Sequence, residues 1–461
     1  MNLRFKAFSV IFILICFSQN ILSQQDEEIR KSYDSISTII IKTALGQNEA
    51  INHLAELCSK IGHRLTGSPQ AEKAVQWSKK KMEELGFQNV RTEPVMVKRW
   101  IRGKEEGFFQ SNNEKLKRKI NISAFGNSIG TPRKGITSEI VEIKSWEELK
   151  SKSESIKGKI VFYNRPMDRT LFSLGVAYGR AVDQRSIGAV EAAKYGAVAA
   201  VVRSMTTRID DKPHTGQMHY DDSVPKIPSA AISTLDADLI SRLLSEGNKI
   251  KISLKLGCDT LSPIQSANVL AELVGSEKPN EIVLISAHLD SWDKGQGAHD
   301  DGAGCAHVIE ALRLIKELDL KPKRTIRVVL FMNEENGLDG GITYAANEGL
   351  NEKHIAAIES DAGGFSPIGF GISDSTMLPK LSQYSYLFRQ INADRFRYGG
   401  GGVDISPLMK TGVPGIGLMV DGQKYFDYHH SDNDTFDKVN ERELALGAAA
   451  IAILAYIIAN E

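Results

Sequence analysis

The 461-residue sequence predicts an α/β fold: a mixed, mostly parallel sheet flanked by helices, with a smaller β-rich α/β unit inserted into it. Three observations carry this reading. From about Ser266 onward, apolar β-type runs alternate with helical patterns, as parallel strands joined by crossover helices do. Between 131 and 261 the texture shifts to short apolar runs among small residues, KGKIVFYN, AAKYGAVAAVV and PKIPSAAIS, none of which carries an acidic residue. The length also exceeds what one hydrophobic core usually organises, so two units are expected.

Residues 1–23 set Arg4 and Lys6 ahead of an apolar stretch of roughly a dozen residues, the pattern of a signal peptide. That stretch is shorter than the ~20 residues of a membrane span, which disfavours an anchor, and the signal pattern leads to the expectation of a secreted or periplasmic protein. Ile15 is too bulky to precede a lipid-bearing cysteine at Cys16. Residues 24–130 form the first part of the main domain. Its helix Ala50–Ile61 breaks at the loop His63–Pro69, helix Ala71–Leu85 is stopped by Gly86, and Val90–Val97 alternates as a strand. The insert, 131–261, closes after the strand Ile250–Leu256.

Residues 262–461 supply the rest of the main domain. Strands are expected at Ile282–Ala287, Ile326–Met332 and Ile355–Ser360, with helices at Ala303–Leu318 and Gly340–Asn347. The last helix, Glu441–Ile458, contains LALGAAAIAILAYIIA but starts on charged residues and is rich in alanine. It reads as a core helix, so no membrane span is expected after signal removal. Lys plus Arg equals Asp plus Glu at 57 each, which favours a small-molecule partner over nucleic acid. Cys58, Cys258 and Cys305 allow one disulfide and leave one thiol unpaired, and Cys305 falls in an apolar helical pattern suited to a small buried hydrophobe.

The chemistry is concentrated in five short clusters: His288-Leu-Asp290, Asp300-Asp301-Gly302, Glu334-Glu335, Asp361 and His430. Carboxylates and imidazoles after apolar strands suit a pair of divalent cations at the carboxyl edge of an open sheet. A two-residue period puts His288 and Asp290 on one face, so the carboxylate can orient the imidazole. Side chains of Glu334 and Glu335 diverge, so one can bind metal while the other faces substrate. No catalytic serine or cysteine is needed.

In order and spacing these clusters resemble peptidase family M28, whose pattern runs H-x-D, G-x-x-D-[DN]-G-x-G, N-E-E, a strand-ending Asp and H-x-x-x-D-T. The resemblance covers residues 30–130 and 265–461. It implies two Zn2+ ions, one held by His288 and Asp361 and the other by Glu335 and His430, with Asp300 bridging. Asp290 would support His288, Glu334 would be the general base acting on a bridging hydroxide, and the Asp300–Asp301 peptide would be cis. The insert resembles a protease-associated domain. The segments PHTGQMHYDDSVPKIPSAAIS, GGGVDISPL and YHHSDNDT resemble the plasma glutamate carboxypeptidase (carboxypeptidase Q) group of that family. That implies a secreted homodimeric exopeptidase acting on dipeptides or short peptides; an aminopeptidase acting on longer peptides is the alternative.

His429 stands where simpler aminopeptidases often carry Tyr, and is a candidate for polarising the substrate carbonyl. His214, His219 and Tyr220 in the insert, with Asp404 and Ser406 near the Gly-rich loop, are candidate cleft residues. Gly399–Gly402 lacks the Lys and Ser or Thr of a phosphate loop and reads as a cleft wall. Two other classes are a non-catalytic ectodomain on the same fold and a single-zinc glutaminyl cyclase, and the full ligand set disfavours both.

Overall fold

A computed structural model describes residues 28, 30–112, 116–348 and 352–461. The segment 1–23, expected as a signal peptide, lies outside the described residues. Two eight-stranded sheets organise the chain. The first runs, edge to edge, Gln88–Ile101, Asp259–Leu273, Arg324–Phe331, Lys278–His288, Lys353–Glu359, Gly415–Val420, Pro367–Ile372 and Arg395–Tyr398. Its four middle strands, Arg324–Phe331 to Gly415–Val420, pair in parallel, and antiparallel pairs flank them. The mixed, mostly parallel sheet is thus as expected. These central strands are buried almost throughout, which explains their unbroken apolar runs.

The chain leaves Lys278–His288 for a neighbour on one side, Arg324–Phe331, and then crosses to the other side at Lys353–Glu359. That reversal opens a crevice at the carboxyl end of Lys278–His288, where α/β sheets place ligands. Helix Ala303–Glu317 packs on the sheet together with the last helix, Glu441–Asn460. The latter is long and apolar enough to cross a membrane, yet 78% of its most apolar window is buried among protein side chains. Helix Pro69–Glu84 starts as its sequence dictates, with Pro69 in the first turn and the Ser68 hydroxyl accepting the Ala71 N–H at 3.1 Å.

The second sheet runs Lys117–Ile120, Glu105–Ser111, Ile250–Leu256, Ile136–Ile143, Ile160–Tyr163, Ala199–Arg203, Ser229–Ile232 and Ile122–Ala124. Three of these strands, Glu105–Ser111, Lys117–Ile120 and Ile122–Ala124, precede residue 131, where the insert was expected to begin. They are short, and Lys117, Arg118 and Lys119 face solvent, so no apolar run announces them. The sheets meet around Arg102, whose guanidinium donates to both carboxylate oxygens of Asp293 at 2.9 Å and to the Ser123 hydroxyl at 2.9 Å. It lies 5.1 Å from the Trp100 ring. Cys58, Cys258 and Cys305 are all buried and free, so the allowed disulfide is not formed.

Candidate metal centre

His288 is the last residue of its strand, and its Nε2 faces Asp300 Oδ1 at 3.3 Å and Asp361 Oδ1 at 3.5 Å. On the other side of Asp300, Oδ2 lies 3.3 Å from His430 Nε2, which in turn lies 3.0 Å from Glu335 Oε2. Asp300 therefore stands between two donor sets, one of His288 and Asp361 and the other of His430 and Glu335. His288 Nε2, Asp300 Oδ2 and Asp361 Oδ1 are buried and have no properly formed hydrogen bond. Nitrogen and carboxylate donors converging with their lone pairs unused are what zinc-type cations require. The Asp300–Asp301 peptide is cis. His430 sits at φ 62°, a left-handed conformation uncommon for a non-glycine residue.

The electrostatics point the same way. Burial alone would raise Asp300, but His288, His430 and His429 around it hold its carboxyl below the ordinary range. Burial, reinforced by surrounding carboxylates, pushes Glu334 and Glu335 well above theirs. So many acids in one dry site ionise together only beside cations.

Asp290 plays a different part from the one spacing suggested. His288 Nδ1 faces the main-chain carbonyl of Asp290 at 3.0 Å, with the carboxylate at 3.8 Å. The carboxylate instead accepts backbone N–H groups from Asn333 at 2.8 Å, Glu334 at 3.1 Å and Glu335 at 3.3 Å, and the Thr66 hydroxyl at 2.7 Å. It fixes the turn that presents the glutamate pair. Asp434 does the same for the bridging residue, accepting N–H groups from His299 at 2.7 Å and Asp300 at 3.2 Å. Asp301 accepts from His288 N at 3.1 Å and Gly304 N at 2.9 Å.

The remaining candidates divide. His429 stacks on His430 with ring centroids 3.4 Å apart, and its Nε2 lies 3.8 Å from Asp300 Oδ2, at the border of the centre. His214 is buried with Nδ1 2.7 Å from the His429 carbonyl, so it supports the histidine pair from the second sheet's side. Tyr220 is drawn into the second unit instead, donating to the Ile227 carbonyl at 2.7 Å and accepting from Ile129 N at 3.0 Å. His219 donates its backbone N–H to the Ser186 carbonyl, also within that unit. Ser406 opens a short helix, Ser406–Met409, next to buried Asp404.

Sequence reasoning gave no supporting role to Arg64, Thr66 or Asp434. Arg64 is fully buried and donates to the carbonyls of Leu289 at 2.7 Å, Gln296 at 2.9 Å and Gly297 at 2.9 Å, clamping the loop before Asp300. A single arginine in a polar loop carries no periodicity. For Asp434, the run ending Asp434-Thr435 was visible but its target was not.

Residues 268–455 match peptidase family M28. Over 447 residues the chain is 39% identical to carboxypeptidase Q of Homo sapiens, covering 96% of this chain and 92% of that one. The chain belongs to peptidase family M28. It is a carboxypeptidase Q-like metallopeptidase, since Xenopus laevis carboxypeptidase Q is also 40% identical over 96% of this chain and 94% of its own. The solved structure of a peptidase M28 precursor from Shewanella amazonensis superposes with TM-score 0.90 at 39% identity, covering 94% of this chain and 98% of that one. A zinc aminopeptidase of Bacillus subtilis shares the M28 fold at TM-score 0.65 and 18% identity, covering 89% of this chain and 95% of that one.

Proposed function

We propose that this M28 metallopeptidase is a di-zinc exopeptidase hydrolysing dipeptides or very short peptides, exported by its 1–23 segment and active as a homodimer. The observation that supports it best is the Asp300 carboxylate between two donor sets, with His288 and Asp361 on one side and His430 and Glu335 on the other. When bound, zinc supplies Lewis acidity at the scissile carbonyl and makes water a nucleophile near neutral pH.

Glu334 is the general base. It is next to Glu335, which faces His430 at 3.0 Å, and Asp290 anchors the Glu334 backbone N–H. It takes the proton as water oxygen bonds to the carbonyl carbon, then delivers it to the departing amine as the C–N bond breaks. His429 lies at the edge of the centre, where a donor could meet the developing oxyanion. The unit built on the second sheet, from Glu105 to Leu256, is assigned as a protease-associated-like insert. By holding the His429–His430 backbone it closes one side of the cleft: His214 meets the His429 carbonyl, and Thr215 N donates to the His430 carbonyl at 2.9 Å.

Metal analysis of the purified protein, with release of free amino acids from unblocked dipeptides, tests this reading. Two zinc ions and chelator-sensitive release are expected. Glu334→Gln should retain metal and fold and lose several orders of magnitude in kcat; near-normal turnover in that variant would overturn the mechanism.

A further inference from the structure

The candidate ligands reach the metal centre from separate stretches of chain, and three of those stretches each carry one ring that is not itself a candidate ligand. His299 immediately precedes Asp300, Phe365 lies four residues after Asp361, and Tyr428 lies two residues before His430. The three rings meet. The His299 and Phe365 centroids are 4.3 Å apart with planes 6° from parallel, His299 and Tyr428 are 5.1 Å apart at 8°, and Phe365 and Tyr428 are 6.3 Å apart at 14°. His299 is fully buried, and its Nδ1 accepts the Gly364 N–H at 3.2 Å. A Cβ on Gly363 would lie 2.8 Å from Phe365 Cε2 and 3.2 Å from His299 Nδ1, so glycine at this position leaves the rings room to close.

Offset, nearly parallel rings at these separations attract one another beyond the area they bury. Resting on the two-zinc reading, we propose that Phe365, His299 and Tyr428 are positioning residues whose stack sets the distance between the two donor sets. The stack joins the segment of the bridging residue, Asp300, to the segment of Asp361 in one set and to that of His430 in the other. Asp300 must serve both ions with its two oxygens. A shift of either neighbouring segment therefore misplaces a ligand for one ion and, through the bridge, for the other as well. Plain apolar filling would ask only for bulk at these positions. The ring at 299 is instead an imidazole fixed by the Gly364 N–H, and its own backbone N–H is held by Asp434 at 2.7 Å, so it transmits its position directly to the next residue, Asp300.

His299→Asn keeps an acceptor for the Gly364 N–H and removes the ring. Phe365→Leu and Tyr428→Leu remove the other rings and keep apolar bulk, whereas Tyr428→Phe keeps the ring. For each full-length protein, stepwise zinc affinity is measured against a competing chelator, the visible absorption of the cobalt-substituted form is recorded, and Tm of the metal-free form reports folding. The three ring-removing variants should lose about ten- to a hundredfold in affinity at both zinc sites and shift the cobalt bands, while Tyr428→Phe matches the wild type. Tyr428 is only partly buried, so Tyr428→Leu against Tyr428→Phe decides the matter even if the buried substitutions fail to fold. Wild-type affinities and cobalt bands in the folded ring-removing variants, whether or not Tm falls, would overturn the assignment. So would a loss confined to one site, or a loss in Tyr428→Phe as large as in Tyr428→Leu. A wild type that binds a single zinc would count against the two-zinc reading; weaker binding at that one site in Tyr428→Leu, restored in Tyr428→Phe, would still show the stack positioning Asp300.

Discussion

Asp290→Asn is the sharpest test of how the centre is held. Asp290 Oδ1 accepts from Asn333 N at 2.8 Å and Glu334 N at 3.1 Å, while Oδ2 accepts from the Thr66 hydroxyl at 2.7 Å and Glu335 N at 3.3 Å. The side chain is fully buried. Asparagine has one oxygen, and placing it at the Oδ1 position keeps the first pair of bonds. Its NH2 then confronts two donors. The Thr66 hydroxyl can rotate to accept, but the Glu335 N–H is orphaned at about 1–3 kcal/mol. The two surviving bonds lose charge assistance, about 0.5–1 kcal/mol each, so the total is about 2–5 kcal/mol. Urea unfolding of the metal-free protein measures that loss. Because the turn carrying Glu334 and Glu335 is what loosens, zinc affinity measured against a competing chelator should fall about 10- to 100-fold. A stability loss under about 1 kcal/mol with wild-type zinc affinity would refute the argument that Asp290 fixes the turn.

Three further outcomes are expected. In Gly304→Ala the new methyl carbon would lie 2.0 Å from the Ser360 carbonyl oxygen and 2.3 Å from Asp301 Oδ2, so thermal unfolding should show a loss of about 3 kcal/mol or more and weaker zinc binding. Arg102→Ala strips Asp293 of its counter-charge where the two sheets meet, and should cost about 3–5 kcal/mol, with limited proteolysis cutting between the units; a wild-type digestion pattern would speak against Arg102 as their link. Burial pushes His307 down from 6.5 to about 3, so the unfolded chain takes up its proton first. Stability is therefore intact above about pH 6.5 and falls as pH drops toward 3, by about 1.4 kcal/mol per unit from this residue, and metal-free His307→Gln should show a flatter slope over that window.

The sequence conveyed the parallel core of the first sheet because doubly covered strands must be apolar throughout, and Val283–Ile285 and Val328–Leu330 are fully buried or nearly so. Among the candidate ligands, His288 closes such a strand and Glu335 and Asp361 follow others within a few residues, whereas Asp300 and His430 sit further on, in irregular segments that only the order of the motif singled out. The outer strands were less legible. Gly415–Val420 contains two glycines, and Arg395–Tyr398 is largely exposed, so neither shows a clean two-residue alternation. The inserted unit was expected from 131, and the strands of the second sheet between Glu105 and Ala124 gave no earlier signal because they are short and partly charged. Tyr220 was a candidate cleft residue, and its hydroxyl has two backbone partners in its own unit.

What spacing could not convey is the direction of a carboxylate. Asp290 lies two residues from His288 and so belongs on the same face, yet its oxygens turn to the N–H groups of Asn333, Glu334 and Glu335, more than forty positions along the chain. Buried N–H groups must find acceptors, and a turn leaving a central parallel strand has no neighbouring strand to supply them. The same demand explains Asp434 beneath His299 and Asp300, and Arg64 among the carbonyls of Leu289, Gln296 and Gly297. The donor sets sit on irregular backbone because they must converge from different strands, and irregular backbone leaves polar groups that only distant charged side chains can satisfy. The residues that hold the ligands in place are therefore dictated by the fold's unpaired main chain and become visible only once the strands are laid side by side.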